Sequence, residues 1–168
     1  HYYIFGRYWL PEAAIEEPGA NHAHYSKWVK QGLLTQTDGA TVDFELITQQ
    51  VIEDCKKSNP KEVIYDPFNA TQMAQALMQE GIENVVEFQQ RPWNFAIPMD
   101  EIDAALKDGR FHHDGNPITT WCFSNVIARP VKKGLFSPSK AKPHQKIDGA
   151  MSVMMGIARA VALDNATA

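Results

Sequence analysis

Glu62-Val63-Ile64-Tyr65-Asp66-Pro67 is the stretch on which the fold reading turns. Four mostly apolar residues, two of them β-branched, predict a short strand. Asp66-Pro67 terminates it, because proline offers no N–H to a ladder. The spacing then predicts a helix over 71–80, with Met73 and Leu77 inward and Gly81 as its C-terminal stop. Asn84 to Gln89 is another strand candidate.

The pattern continues upstream. Asp43 reads as the cap of a helix carrying Phe44, Ile47, Val51 and Cys55 on one face, with Val42 and Ile47 at the hydrophobic-staple positions and Asn59-Pro60 as the stop. Leu33 to Val42, broken by Asp38-Gly39, fits a small hairpin. Residues 12–31 suggest a loop and short helix around Tyr25 and Trp28. Tyr2 to Leu10 reads as a strand stopped by Pro11.

Downstream, a helix is expected over 98–108, and Asn116-Pro117 opens a short helix through Trp121. Val126 to Val131 reads as a strand leading into a basic loop, and Asp148 opens a helix of small and apolar residues running through Val161. Alternation of this kind predicts an α/β domain with one sheet and helices packed on it. With 168 residues, no internal repeat and no linker, a single domain over 1–168 is expected.

No window approaches the roughly 18 apolar residues of a membrane span, and no signal-peptide pattern opens the sequence. Cys55 and Cys122 form no CxxC pair, which fits buried thiols in a reducing cytoplasm. A glycine-rich phosphate loop of the Walker type is lacking, which excludes P-loop ATP binding by these residues. Net charge is −4, yet residues 126–168 hold seven basic groups against two acidic ones. The basic groups are Arg129, Lys132, Lys133, Lys140, Lys142, Lys146 and Arg159. That surplus of five suits either a polyanion-binding face or a solvated loop.

Two carboxylates stand where chemistry is done. Asp66 lies at the end of an apolar strand expected to be buried on both faces, the edge of an α/β sheet at which ligands gather. It is either a cation-holding carboxylate or a turn aspartate satisfied by backbone. Asp148 stands at a helix start, where the dipole favours the anion. It is either a metal ligand or a plain N-cap. They lie 82 residues apart, so only a fold can bring them together. Octahedral oxygen coordination by Mg²⁺ suits such groups, but phosphodiester cleavage by a pair of ions needs three or four carboxylates. Lys140, Lys142 and Lys146 precede Asp148 closely enough to meet a phosphate backbone. His112-His113 beside Asp114-Gly115 reads as a turn, and the tryptophans Trp9, Trp28, Trp93 and Trp121 read mostly as core.

Several segments resemble, in order, the C-terminal nuclease domain of tailed-phage terminase large subunits. They are Arg7-Tyr8-Trp9-Leu10-Pro11, Trp28-Val29-Lys30-Gln31-Gly32-Leu33-Leu34, Tyr65 through Gln72, Gly115-Asn116-Pro117 with Trp121 and Ser124-Asn125, and Pro138-Ser139-Lys140. Lys146-Ile147-Asp148-Gly149-Ala150 before a small-residue helix is the most specific. The resemblance implies a ribonuclease H-like mixed sheet flanked by helices, and a two-metal, Mg²⁺- or Mn²⁺-dependent endonuclease. It matches Asp66 to the second of three metal-binding acids and Asp148 to the third. The first acid and its strands are expected upstream of His1, as is the ATPase motor domain. It further implies cutting of concatemeric double-stranded DNA in the host cytoplasm, beside a terminase small subunit and portal. The alternatives are a non-catalytic module docking DNA or portal, and an α/β domain with two structural aspartates.

Overall fold

A computed structural model describes residues 1–132 and 134–167; Lys133 lies outside the described residues. In chain order the elements begin with β1 (Tyr2–Ile4), β2 (Trp9–Pro11), α1 (Glu12–Glu16), α2 (His22–Lys30) and β3 (Thr35–Thr37). Next come α3 (Phe44–Ser58), β4 (Val63–Tyr65), α4 (Pro67–Gln79) and β5 (Val85–Glu87). A 3-10 turn (Pro92–Asn94) leads to α5 (Ala96–Lys107), β6 (Phe111–His113), α6 (Pro117–Ser124), β7 (Val126–Lys132), β8 (Leu135–Lys140) and α7 (Asp148–Thr167).

This is the expected α/β class, and the pairing is mixed. β1–β6 and β4–β5 run parallel, while β7–β8 is antiparallel. Among the described residues the strands form four two-stranded ladders rather than one continuous sheet. Most strands are three residues long, too short to hold more than one neighbour firmly.

The chain divides into two compact units. One comprises His1–Tyr8, Pro18–Thr35 and Gln90–Ala168; the other comprises Trp9–Glu17 and Gln36–Gln89. In the second unit, β4, α4 and β5 make a strand–helix–strand crossover, and α3 packs against α4. Leu77 and Ala74 of α4, Ile52 and Cys55 of α3, and Phe88 are buried there. In the first unit, α7 packs on α5 and α6. Ala105 and Ala150 are fully buried beside Phe95, Ile118, Cys122, Met154 and Ile157. Residues this small let neighbouring helices and strands approach closely. Trp28 is buried with Tyr25, and its ring meets that of Trp121 edge-on at 5.3 Å.

Several expectations are corrected. The strand expected over 2–10 is two strands with different partners, interrupted at Gly6, where an added Cβ would stand 2.6 Å from the Tyr8 ring. Over 33–42 there is no hairpin: Thr35–Thr37 pairs with β2 instead. His112-His113 is not a turn but β6, registered with Tyr3 and Ile4. Lys140 ends a strand, β8, that hydrophobicity did not reveal. In α3 the buried face is Thr48, Ile52 and Cys55, one residue round from that expected, and Phe44 is exposed. Helix α4 begins at Pro67 rather than 71, and α7 runs to Thr167.

Glu101 ties α5 to the β1–β6 ladder. It accepts from Arg110 Nη1 at 2.8 Å and from Tyr2 Oη at 3.0 Å. The Arg110 hydrogen bond, then that from Tyr2, hold its carboxyl below the ordinary glutamate range. A depressed folded pKa gives stability that is present above the unfolded value and lost as pH falls through the folded one. Melting midpoints of the wild type should therefore decline more steeply below about pH 4.3 than those of Glu101→Gln. Parallel melting curves for the two proteins across pH 3–6 would remove Glu101 from the acid transition.

Candidate active site

Asp66 belongs to the second unit. It ends β4 and caps α4, with Pro67 at the first helical position and its Oδ1 accepting from Phe68 N at 3.1 Å. Val63, Ile64 and Tyr65 are half-buried, which corrects the expectation of a strand buried on both faces. Asp66 itself is half-buried at the C-terminal end of β4 in the parallel pair.

Asp148 belongs to the first unit. Its exposed side chain leads α7, while Gly149 and Ala150 behind it are buried. Among the described residues the Asp148 carboxylate makes no ion pair. The first turn of α7 rests on Cys122 and Tyr8. A methyl added at Gly149 would come 2.9 Å from Tyr8 Oη and 3.2 Å from Cys122 Sγ. Tyr8 Oη shares a 2.8 Å hydrogen bond with Thr119 Oγ1, a side chain only 1% exposed. Burial pushes the Cys122 thiol up, the Asp148 charge adds to this, and the amides of Gly149 and Ala150 oppose it. The Tyr25 phenol is raised mainly by burial, with Asp148 contributing.

Lys140, Lys142 and Lys146 are exposed on the approach to Asp148. The segment that carries them is pinned. Asn21 Nδ2 donates to His144 O at 2.7 Å, and Asn125 Nδ2 donates to Lys146 O at 3.0 Å. Lys140 Nζ donates to Pro143 O at 3.0 Å, and Lys142 N donates to Gln145 Oε1 at 2.9 Å. Asn125 is a buried polar residue committed to this segment.

One strand-end carboxylate was missed by sequence reasoning. Asp114 follows β6 and accepts from Gly6 N at 3.3 Å and Asn116 N at 3.0 Å. Those backbone partners account for it as a structural turn residue. In donor chemistry Asp66 and Asp148 fit hard divalent cations, which take carboxylate oxygen. The described residues do not, however, gather three or more His, Cys, Asp or Glu side chains closely enough to hold a metal ion.

A family model described as the terminase large subunit, endonuclease domain, matches residues 1–164. The chain belongs to this family. Two relatives match along most of the chain. The chain is 38% identical over 169 residues to Protein YmfN of Escherichia coli (strain K12), covering 96% of the chain and 37% of that protein. It is 26% identical over 159 residues to the terminase large subunit of Enterobacteria phage HK97, covering 94% of the chain and 32% of that protein. The crystal structure of the HK97 bacteriophage large terminase superposes with a TM-score of 0.78 at 25% identity, over 90% of the chain and 32% of that structure's chain. The likeness supports the ribonuclease H-like reading of the α/β fold. The chain spans about a third of the length of these relatives.

Proposed function

We propose that this terminase domain is a metal-dependent endodeoxyribonuclease that cuts concatemeric double-stranded DNA during genome packaging. Asp66 and Asp148 would each supply carboxylate oxygen to two divalent cations, Mg²⁺ or Mn²⁺, with a third acid from a segment outside residues 1–168. Cations bound there would activate an attacking water and stabilise the leaving oxygen of a phosphodiester. The observation that carries this reading is Asp148: an exposed carboxylate with no ion pair among the described residues, on a helix whose first turn is locked from behind. A single family match over residues 1–164 supports treating both units as one nuclease domain. The terminase small subunit, the portal and the cytoplasm of a bacterial host complete the setting proposed. A plasmid-nicking assay on the full-length protein tests the activity: Mg²⁺ or Mn²⁺ should yield nicked and linear product, and EDTA should abolish it.

The shortage of donors among the described residues favours a second reading, a non-catalytic module that docks DNA or portal. It predicts DNA binding without metal-dependent cutting by the full-length protein.

Lys140, Lys142 and Lys146 would hold the DNA backbone without reading bases. Replacing all three with alanine should weaken binding equally across unrelated sequences. The log–log salt slope should flatten by about one unit for each lost phosphate contact, read by fluorescence anisotropy. Loss on one sequence only would make them base readers, and an unchanged slope would make them bystanders.

A further inference from the structure

We infer that Tyr8 is a positioning residue for Asp148, acting as a stop that fixes the first turn of α7. This rests on the proposed role of Asp148 as a metal-binding carboxylate. Tyr8 follows β1 within the first unit, and its ring is boxed by two glycines far apart in sequence. A methyl at Gly6 would meet the ring at 2.6 Å and the hydroxyl at 2.8 Å; one at Gly149 would meet the hydroxyl at 2.9 Å and the ring at 3.0 Å. Contacts that close leave no room for any side chain larger than hydrogen at either position unless the ring moves.

The ring is not free to move. Its hydroxyl is tied to Thr119, a buried residue of α6, at 2.8 Å. From one turn further along α6, Cys122 places its sulfur 3.2 Å from where a methyl at Gly149 would stand. The backbone next to Asp148 thus has a wall on the side of Tyr8 and Cys122. A carboxylate with no ion pair of its own among the described residues takes its position from the backbone that carries it. In this terminase domain that backbone is set by Tyr8. Residues that orient a ligand without touching the ion typically change metal affinity by about 10–100-fold when removed.

The test uses the full-length protein carrying Tyr8→Ala, Tyr8→Phe, Gly149→Ala or Asp148→Ala. Mn²⁺ binding is read by electron paramagnetic resonance, and amide exchange at Gly149 and Ala150 is read without metal. Tyr8→Ala should weaken Mn²⁺ binding about tenfold and speed exchange at both amides by a similar factor. Tyr8→Phe, which keeps the ring, should stay within about threefold of wild type. Gly149→Ala leaves Tyr8 in place and drives a methyl against it, so it should reproduce the Tyr8→Ala shift even if Tyr8→Ala fails to fold. A lowered melting temperature with wild-type Mn²⁺ affinity in both Tyr8→Ala and Gly149→Ala would overturn the inference and leave Tyr8 a core residue. Unaltered Mn²⁺ binding by Asp148→Ala would instead overturn the underlying reading of Asp148.

Discussion

Asp66→Ala and Asp148→Ala are each expected to lower metal-dependent nicking by the full-length protein about a hundredfold to a thousandfold. Losing one carboxylate weakens the hold on a cation that gives up its water reluctantly, and positioning fails together with charge stabilisation. The asparagine variants separate this from a structural effect. Asn caps a helix about as well as Asp, so Asp66→Asn retains an acceptor for the Phe68 amide, and Asp148→Asn still suits the start of α7. Both asparagine variants should therefore melt close to wild type, well within the ~1 kcal/mol that losing a cap costs, and yet fail to cut. An aspartate whose asparagine variant cuts normally is a turn or cap residue and no part of the chemistry.

The second large effect concerns residues 1–168 by themselves. They should nick plasmid DNA at least about a hundredfold more slowly than the same residues joined to sequence that supplies the third acid. The physical reason is the donor count: Asp66 and Asp148 supply two carboxylates, and cleavage by a pair of ions needs three or four. Two cations brought close together repel unless enough carboxylate charge is shared between them. Gel quantification of nicked product over time, with Mn²⁺ in excess, reads the difference. Rapid cutting by residues 1–168 would mean that another of their carboxylates completes the centre. Glu12, Glu16 and Glu17 would then be the first to substitute.

Much of this was legible before any coordinates, and the failures have physical causes. Asn116 and Asp43 were readable as helix caps because side-chain capping is local; each accepts an amide two or three residues on. The alternation around β4, α4 and β5 was readable for the same reason. That Asp66 caps α4 was not, since the helix was expected only from residue 71. Strand pairing is not local, and β6 shows the cost: His112-His113 before Asp114-Gly115 has turn composition, and only β1, over a hundred residues away, makes it a strand. β8 was hidden likewise, since Ser137, Pro138, Ser139 and Lys140 are poor strand formers held in place by pairing with β7. At the candidate site, Asp66 at a strand end and Asp148 at a helix start followed from local signals, whereas Lys140, expected in a loop, ends β8. The bed beneath Asp148 did not. Nothing in the spacing of Tyr8, Thr119, Cys122 and Gly149 announces that they meet, because each reads singly as an ordinary apolar or small residue.

The most direct test of the central claim is anomalous scattering from crystals of the full-length protein soaked in Mn²⁺. The account predicts two peaks about 3.5–4 Å apart, with carboxylate oxygens of Asp66 and Asp148 both reaching that pair of ions. Coordination distances should be close to those of hard octahedral ions, about 2.0–2.3 Å. Ordered Mn²⁺ bound elsewhere, with neither aspartate in contact, would contradict it.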